Sequence, residues 1–341
     1  MPKPLFQPHL VNGPLGDPVV YVDFQFQKRA LLFDIGDIRR LAPRKILRLT
    51  DIFVSHTHMD HFNDFDWLIR LTLGRDMRLR LFGPPGFIDS VDCRLRAYTW
   101  NLVHNYEENV RLEVTELHPG ERGRRAEFRC QNRFGRENEE EIELPGNVLV
   151  SEPAIEITGT LLDHGIPCLA CAVQEARHVN VWKNRLHEMG LGPGPWLAEL
   201  KQAVLEQHPD EEAIQAEWKD NGEIRQRILT LGELRPVVEI TPGQKIAYVV
   251  DCAYTEANRR RIVDLIRGAR TVFMEAAFLH EEAGRAADRS HLTAHQAGTL
   301  AREGGVEQLV PLHFSPRYTD GAERLQAEAQ AALNGDVDAD H

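Results

Sequence analysis

No stretch of this 341-residue chain approaches the roughly 18 consecutive apolar residues that a membrane-spanning helix requires. The opening, Met1 to Val11, also lacks the apolar core of a secretory signal, so a cytoplasmic protein without a membrane partner is expected. Cysteine is scarce. The five present (Cys93, Cys130, Cys168, Cys171 and Cys252) are odd in number and scattered, which does not read as a disulfide framework. Cys168 and Cys171 form a C-x-x-C, but their setting from Pro167 to Val173 reads as a buried strand. Three-residue spacing there turns the two thiols to opposite faces, and inert core thiols are expected. An excess of basic charge is missing too. Lysine and arginine number 40 against 52 acidic residues, a net charge of −12. Phosphate affinity comes largely from cations that displace counterions, so non-specific nucleic-acid binding is disfavoured and any such substrate needs a local basic cluster.

What remains is an ordinary globular composition, 42% hydrophobic and 27% charged, long enough for one large domain or two small ones. Strand patterns run from Val19 towards a turn at Gln27-Lys28-Arg29, then Ala30–Phe33, Asp51–Ser55, Arg80–Phe82 and Arg111–Val114. Helical patterns cover Phe65–Leu73, stopped by Gly74, and Phe87–Arg96. Between residues 121 and 147, six arginines from Arg122 to Arg136 precede an acidic run from Glu137 to Glu143. A solvated, charge-laced hairpin or loop accounts for this better than a binding patch. Strands return at Ile155–Leu162 and Cys168–Val173. The stretch 175–240 breaks the alternation with Gly192-Pro193-Gly194-Pro195 and a polar helical tract, and reads as an inserted, flexible or exosite-like arm. Regular order resumes in strand Lys245–Val250, helix Asn258–Arg267, strand Thr271–Met274, helix Thr293–Arg302, strand Gln308–Pro311 and helix Ala322–Leu333. This pattern fits two sheets sandwiched between helices in a single domain, 1–341.

The chemistry is concentrated in His56-Thr57-His58-Met59-Asp60-His61, where four potential ligands follow directly on an apolar strand. Imidazole nitrogen and carboxylate oxygen are zinc donors, and a strand-to-helix turn can aim His56 and His58 at one ion and Asp60 and His61 at a second. An exposed polar loop is the bland alternative, and such a cluster after a buried strand argues against it.

The pattern H-x-H-x-D-H resembles the signature of the metallo-β-lactamase superfamily. That resemblance implies an αββα sandwich and three further ligands at strand ends. His164 follows Ile155–Leu162, Asp251 ends Ala247–Val250, and His313 ends Leu309–Leu312, in the required order. Taken singly, His164 reads equally as a turn cap, Asp251 as a helix N-cap and His313 as a core histidine. The blocks Leu162-Asp163-His164-Gly165-Ile166-Pro167 and Leu312-His313-Phe314-Ser315-Pro316-Arg317-Tyr318 resemble those of ribonuclease Z, the tRNA 3′-end endonuclease, over residues 30–320. The resemblance implies that His56, His58 and His164 hold one divalent ion and that Asp60, His61 and His313 hold another. Asp251 would bridge them, with zinc first in line and manganese or iron as alternatives. It further implies that Asp60 directs the attacking water and that His291, held by Glu275, protonates the leaving oxygen. Arg317 is a candidate phosphate contact, with a structural salt bridge as the alternative.

Four features depart from the family. Its usual histidine before Glu275 is Met274 here, its glycine-rich opening is at most loosely matched by His9–Pro18, the charged segment 121–147 has no match in it, and Trp196–Ile224 holds eight acidic residues against Lys201 and Lys219. A ribonuclease Z-like phosphodiesterase acting on precursor tRNA, as a homodimer, is therefore the leading expectation. A hydrolase of small phosphodiesters or other esters is second, and a non-catalytic metal-binding protein third.

Overall fold

The computed structural model describes residues 5–336 apart from 26, 176, 177, 221 and 242. Eight strands form one sheet in chain order: Phe6–Leu10, Val20–Phe24, Ala30–Phe33, Leu49–Phe53, Met77–Gly83, Val110–His118, Arg122–Arg129 and Arg136–Glu143. Its middle is parallel, from Ala30–Phe33 through Val110–His118, and its two ends are antiparallel. Six strands form the other sheet, in the order Gln308–Leu312, Thr271–Glu275, Lys245–Val249, Pro167–Glu175, Ile155–Asp163 and Val148–Ser151.

The sheets meet through aromatic side chains. Phe33, Phe53 and Phe82, on three adjacent strands, stack at 5.3 and 4.9 Å between ring centroids. Tyr248 of the other sheet stacks on Phe33 at 5.3 Å. On the outer face of the first sheet, helices Phe65–Thr72 and Phe87–Arg96 bury Phe65, Leu68, Phe87 and Val91. Helices Glu256–Ile266, Ala294–Glu303 and Ala322–Asn334 cover the second with Ile262, Leu300 and Leu325. The layer order is helix, sheet, sheet, helix, the metallo-β-lactamase arrangement. Truncation of a fully buried ring such as Phe33 to alanine should cost about 3–5 kcal/mol.

The sequence reading places most of these elements within one to three residues. It misses Phe6–Leu10, an edge strand where Pro8 costs no inner ladder bond. The charged stretch is a pair of strands in which most arginines face carboxylates: Arg124 pairs with Glu139, Arg125 with Glu113 and Glu140, and Arg129 with Glu137. Cys168 and Cys171 are both free and buried, and burial pushes both thiols well above their usual range, as inert core residues require.

A separate compact unit consists chiefly of Gln174–Gln244. It has its own apolar core, including Leu186, Trp196, Leu200, Ile214, Leu229 and Leu234. The expected polar helical tract is only partly helical. Trp196–Leu205 is a helix, whereas Ala213–Asp220 and Glu223–Thr230 pair as an antiparallel hairpin. The reason is a period of two, since Ile214 and Ala216 are buried while Gln215 and Glu217 are exposed. Gly194 packs so tightly that a Cβ would run into the Glu217 carbonyl oxygen, which explains the Gly-Pro-Gly-Pro turn.

Candidate metal centre

Each predicted ligand sits where a strand ends. Leu49–Phe53 delivers His56, Ile155–Asp163 delivers His164, Lys245–Val249 delivers Asp251 and Gln308–Leu312 delivers His313. The helical turn Met59–Phe62 carries Asp60 and His61. Open α/β sheets place their sites at the carboxyl ends of parallel strands for this reason: side chains from several strands converge there. Asp251 and His313 both take left-handed backbone, with φ of 48° and 58°. For an L-residue that conformation costs on the order of 1–2 kcal/mol, and packing on both sides enforces it.

The predicted set comes together. His56, His58, His164 and Asp251 converge as one group, and Asp60, His61 and His313 as another, with all donor atoms of a group within 4.8 Å of one another. His56 Nε2 and His164 Nε2 each lie 3.5 Å from Asp251 Oδ2. His61 Nε2 lies 3.4 Å from both Asp251 Oδ2 and Asp60 Oδ2. His313 stands between the two carboxylates, Nδ1 at 3.0 Å from Asp251 Oδ1 and Nε2 at 3.1 Å from Asp60 Oδ2. Donors about 2.0–2.2 Å from a tetrahedral ion stand about 3.3–3.6 Å apart, so the spacing suits such an ion.

The surrounding hydrogen bonds make the same point. Ser55 Oγ donates its one proton to Asp34 Oδ2 at 2.8 Å, so His56 Nδ1 donates to Ser55 Oγ at 3.1 Å. His61 Nδ1 donates to Asp34 Oδ2 at 2.7 Å, and His164 Nδ1 donates to the Ser290 carbonyl at 2.8 Å. All three imidazoles are thereby fixed with Nε2 facing the cluster, the orientation that a metal needs. His56 Nε2, His61 Nε2, Asp251 Oδ1 and His313 Nδ1 are buried and make no hydrogen bond. Four such orphans in one place point to a cation.

Electrostatics agree. Burial first, and then the neighbouring His61, push His56 down to about 2, so it offers a lone pair at any working pH. Burial and His164 lower His58 as well. Burial would raise Asp60, but hydrogen bonds to His313 and His61 hold it below the usual carboxylate range. Asp251 behaves likewise, with His313 and His61 outweighing its burial. Burial opposes a charge on His61, yet Asp251 and Asp34 draw a proton onto it. Two ionised carboxylates in a buried cluster demand positive charge, which protons or divalent ions can supply.

Beside this cluster, His291 Nδ1 donates to Glu275 Oε2 at 2.8 Å. Glu275 is fully buried, and its other oxygen accepts from the Cys252 amide at 2.7 Å. Burial would lower His291, but the Glu275 carboxylate overrides it and carries the imidazole up to about 9. Asp60, His291 and His313 line a cavity of about 230 Å³, together with Asp17, Phe278 and Arg289. Arg317 has another occupation than the expected phosphate contact. Its guanidinium donates to Glu282 at 2.8 Å, which is the structural salt bridge.

Asp34 is the residue that the sequence reading missed. Fully buried, it accepts from Ser55 N, Ser55 Oγ, His61 Nδ1 and the Tyr248 hydroxyl, at 2.6 to 2.8 Å. Its position just past strand Ala30–Phe33 was the available signal. Next to it, a Cβ on Gly36 would run into the Asp60 carbonyl oxygen, so glycine lets this loop close on the turn that carries Asp60 and His61.

No family model matches the chain. Among curated relatives, the ribonuclease Z of Deinococcus radiodurans is 30% identical over 309 residues, covering 90% of this chain and 88% of its own. That of Brevibacillus brevis is 28% identical over 315 residues, covering 88% and 81%. Two solved structures share the fold. The metallo-β-lactamase fold protein YhfI of Bacillus subtilis has a TM-score of 0.53 at 14% identity and covers 95% of this chain and 91% of its own. The short form of human tRNase Z has a TM-score of 0.51 at 17% identity and covers 92% of each. With a relative this similar over nearly its whole length, the chain belongs to the ribonuclease Z family of metal-dependent hydrolases.

Proposed function

We propose that the chain is an endoribonuclease that cleaves one phosphodiester of precursor tRNA, using two divalent ions for which zinc is the first choice. The observation that carries this reading is the Glu275–His291 pair opening onto the same cavity as Asp60 and His313. An all-nitrogen and oxygen donor set without cysteine suits zinc and also admits manganese or iron. His56, His58 and His164 would hold one ion, Asp60, His61 and His313 the other, and Asp251 both. When bound, such a pair supplies a water acidic enough to attack at neutral pH and positive charge that clamps the phosphate.

The chain's own residues do the rest. Asp60, half-exposed and ionised, orients the attacking water and accepts its proton. His291 holds a proton that Glu275 stabilises, and delivers it to the leaving ribose oxygen. Asp34 keeps His61 and Ser55 in place, and through Ser55 it fixes His56. The buried floor of Phe278 and Phe314 keeps bulk water from one side of the cavity. The unit 174–244 is the docking arm for the RNA body in this reading, and a cytoplasmic homodimer completes it. The acidic balance of Trp196–Ile224 favours a second reading, in which small phosphodiesters are the substrates.

One experiment separates them. Val181 and Val238 are antiparallel partners, so Trp182–Val237 can be replaced by a short glycine turn that closes the pair as a hairpin. Wild type and shortened chain are assayed on precursor tRNA and on bis-p-nitrophenyl phosphate, with metal content by elemental analysis. Wild type should hold two equivalents and turn over both substrates. The shortened chain, which keeps every ligand, should retain its metal and the small diester while losing the RNA. A wild type inactive on RNA would overturn the tRNA reading in favour of small diesters. RNA cleavage unchanged in the shortened chain would remove the docking role.

A further inference from the structure

The cavity over the metal cluster is lined by two carboxylates, Asp17 and Asp60, and by a single arginine, Arg289. The fate of the neighbouring arginines makes Arg289 stand out. Arg285 and Arg317 both close on Glu282, and Arg324 closes on Glu281. Arg289 is exposed, and among the described residues its guanidinium has neither a hydrogen bond nor an ion pair. Arg289 thus combines a place in the cavity lining with a charged end that no carboxylate answers. Its backbone is well held. The Arg289 amide bonds to the Arg285 carbonyl at 3.2 Å, and the turn continues through Ser290, whose left-handed backbone (φ 58°) aims its carbonyl at His164 Nδ1. The root of the side chain is therefore tied, through two residues, to both a metal ligand and the proton donor His291. Only its charged end is free.

We infer that Arg289 is the substrate-positioning cation of this enzyme, gripping the backbone phosphate that flanks the scissile one on the leaving-oxygen side. This rests on the proposed reading of the site as an RNA phosphodiesterase. The scissile phosphate falls to the metal cluster. A strand threading the cavity past His291 next presents its neighbouring phosphate to Arg289, two residues away in sequence and on the same wall. A guanidinium makes a bidentate, charge-assisted contact with such a group, and it cannot lose its proton near two dications. Placed on the His291 side, the contact fixes the leaving oxygen against the imidazole that protonates it. The carboxylates Asp17 and Asp60, which line the same cavity, repel a misplaced backbone, so the one cation also sets the direction in which the strand lies.

The test compares Arg289→Ala, Arg289→Lys and Arg324→Ala in the full-length, metal-loaded enzyme. The last removes an equal charge that already has a partner. KM and kcat are measured on precursor tRNA across a salt series, and on bis-p-nitrophenyl phosphate. Arg289→Ala should raise KM for RNA by about 10- to 100-fold, the range for one charge-assisted contact, with kcat changed far less. The slope of log kcat/KM against log salt should fall by about 0.7–0.9, as expected for one lost phosphate contact. The small diester has no flanking phosphate, so its KM should rise far less than that for RNA. Arg289→Lys should recover the salt slope and only part of the KM, because an ammonium lacks the fork. Arg324→Ala should match wild type throughout. If Arg289→Ala leaves both KM and salt slope for RNA unchanged while wild type cleaves RNA, the positioning role is overturned and the RNA reading stands. If wild type itself does not cleave RNA, the reading falls and takes this contact with it. The two failures are read on different proteins.

Discussion

Two parts of this molecule are dense in charge and differ in what they do with it. In the strands Arg122–Arg129 and Arg136–Glu143 most cations find an anion at the surface, for example Arg125 with Glu113 and Glu140. In the cluster around Asp251, His56, His61 and Asp251 are buried, and four polar atoms of the cluster have no hydrogen-bonding partner. The first arrangement answers charge with charge, even where Arg125 Nε and Arg136 Nε lack a hydrogen bond. The second leaves ligand-type imidazole and carboxylate atoms unanswered. Charge density alone is therefore a poor guide to function, and unmet demand inside a buried, over-determined frame is a good one. Arg289 and Arg317 repeat the lesson in miniature, since both lie near the cavity in sequence and only the unpaired one lines it.

The largest effect that this comparison predicts is at His291. His291→Ala should lower turnover of precursor tRNA by about 10²–10⁴-fold at unchanged metal content. The loss should be smaller on bis-p-nitrophenyl phosphate, whose leaving group needs little protonation. Equal losses on both would show that His291 is not the acid. The pH profile sharpens the assignment. Glu275 lifts His291 up to about 9, against the pull of burial, so the acid form dominates below that pH and is lost above it. Neighbouring divalent ions repel the proton and draw the alkaline limb of kcat/KM to lower pH than the metal-free site would show. Glu275→Gln removes the lifting charge, so the limb should move lower still, leaving less activity at neutral pH. A limb that stays put in Glu275→Gln would break the pairing.

A smaller effect is expected at Asp34, which touches no ion in the proposed arrangement. Asp34→Asn keeps the shape but weakens the grip on His61 Nδ1, Ser55 and the Tyr248 hydroxyl. Metal affinity should fall by about 10- to 100-fold, the usual cost of losing a supporting partner, measured by competition with a chelator. Unchanged affinity would mean that the cluster is held by backbone alone. Asp34 also marks the limit of what the sequence shows. His56, His58, Asp60 and His61 are legible because they are neighbours in one turn. His164, Asp251 and His313 are legible only through the family resemblance, which asks for ligands in that order at strand ends. The work of Asp34 depends on Tyr248, 214 positions away, and no local pattern encodes that contact. The hairpin Ala213–Thr230 was misread for a related reason. In a two-stranded sheet much of one strand stays exposed, as Ile224 to Ile228 do, so the apolar alternation is carried by Ile214 and Ala216 alone. Arg317 shows the same dependence, because its partner Glu282 is set by tertiary packing.

The smallest effect belongs to the charged strands, and it tests the other half of the comparison. Arg125 and Arg129 are 36% and 41% exposed, and each has an acidic partner on an adjoining strand. Exposed pairs of this kind contribute about 0–1 kcal/mol each, because water screens the attraction and ordering two long side chains offsets part of it. The double variant Arg125→Ala, Arg129→Ala should therefore lower the melting temperature by only a few degrees. If these arginines are structural, KM for precursor tRNA and its salt slope should match wild type, since a cation already neutralised by glutamate releases no counterion from RNA. If they instead form a basic track for the RNA, the double variant should lower the salt slope by about 1.4–1.8, two contacts at about 0.7–0.9 each, and raise KM well beyond any stability loss. That result would place part of the RNA footprint on the first sheet's edge and erase the distinction between the two charged regions. A wild-type slope would confirm it, and would leave Arg289 as the cation whose removal RNA feels.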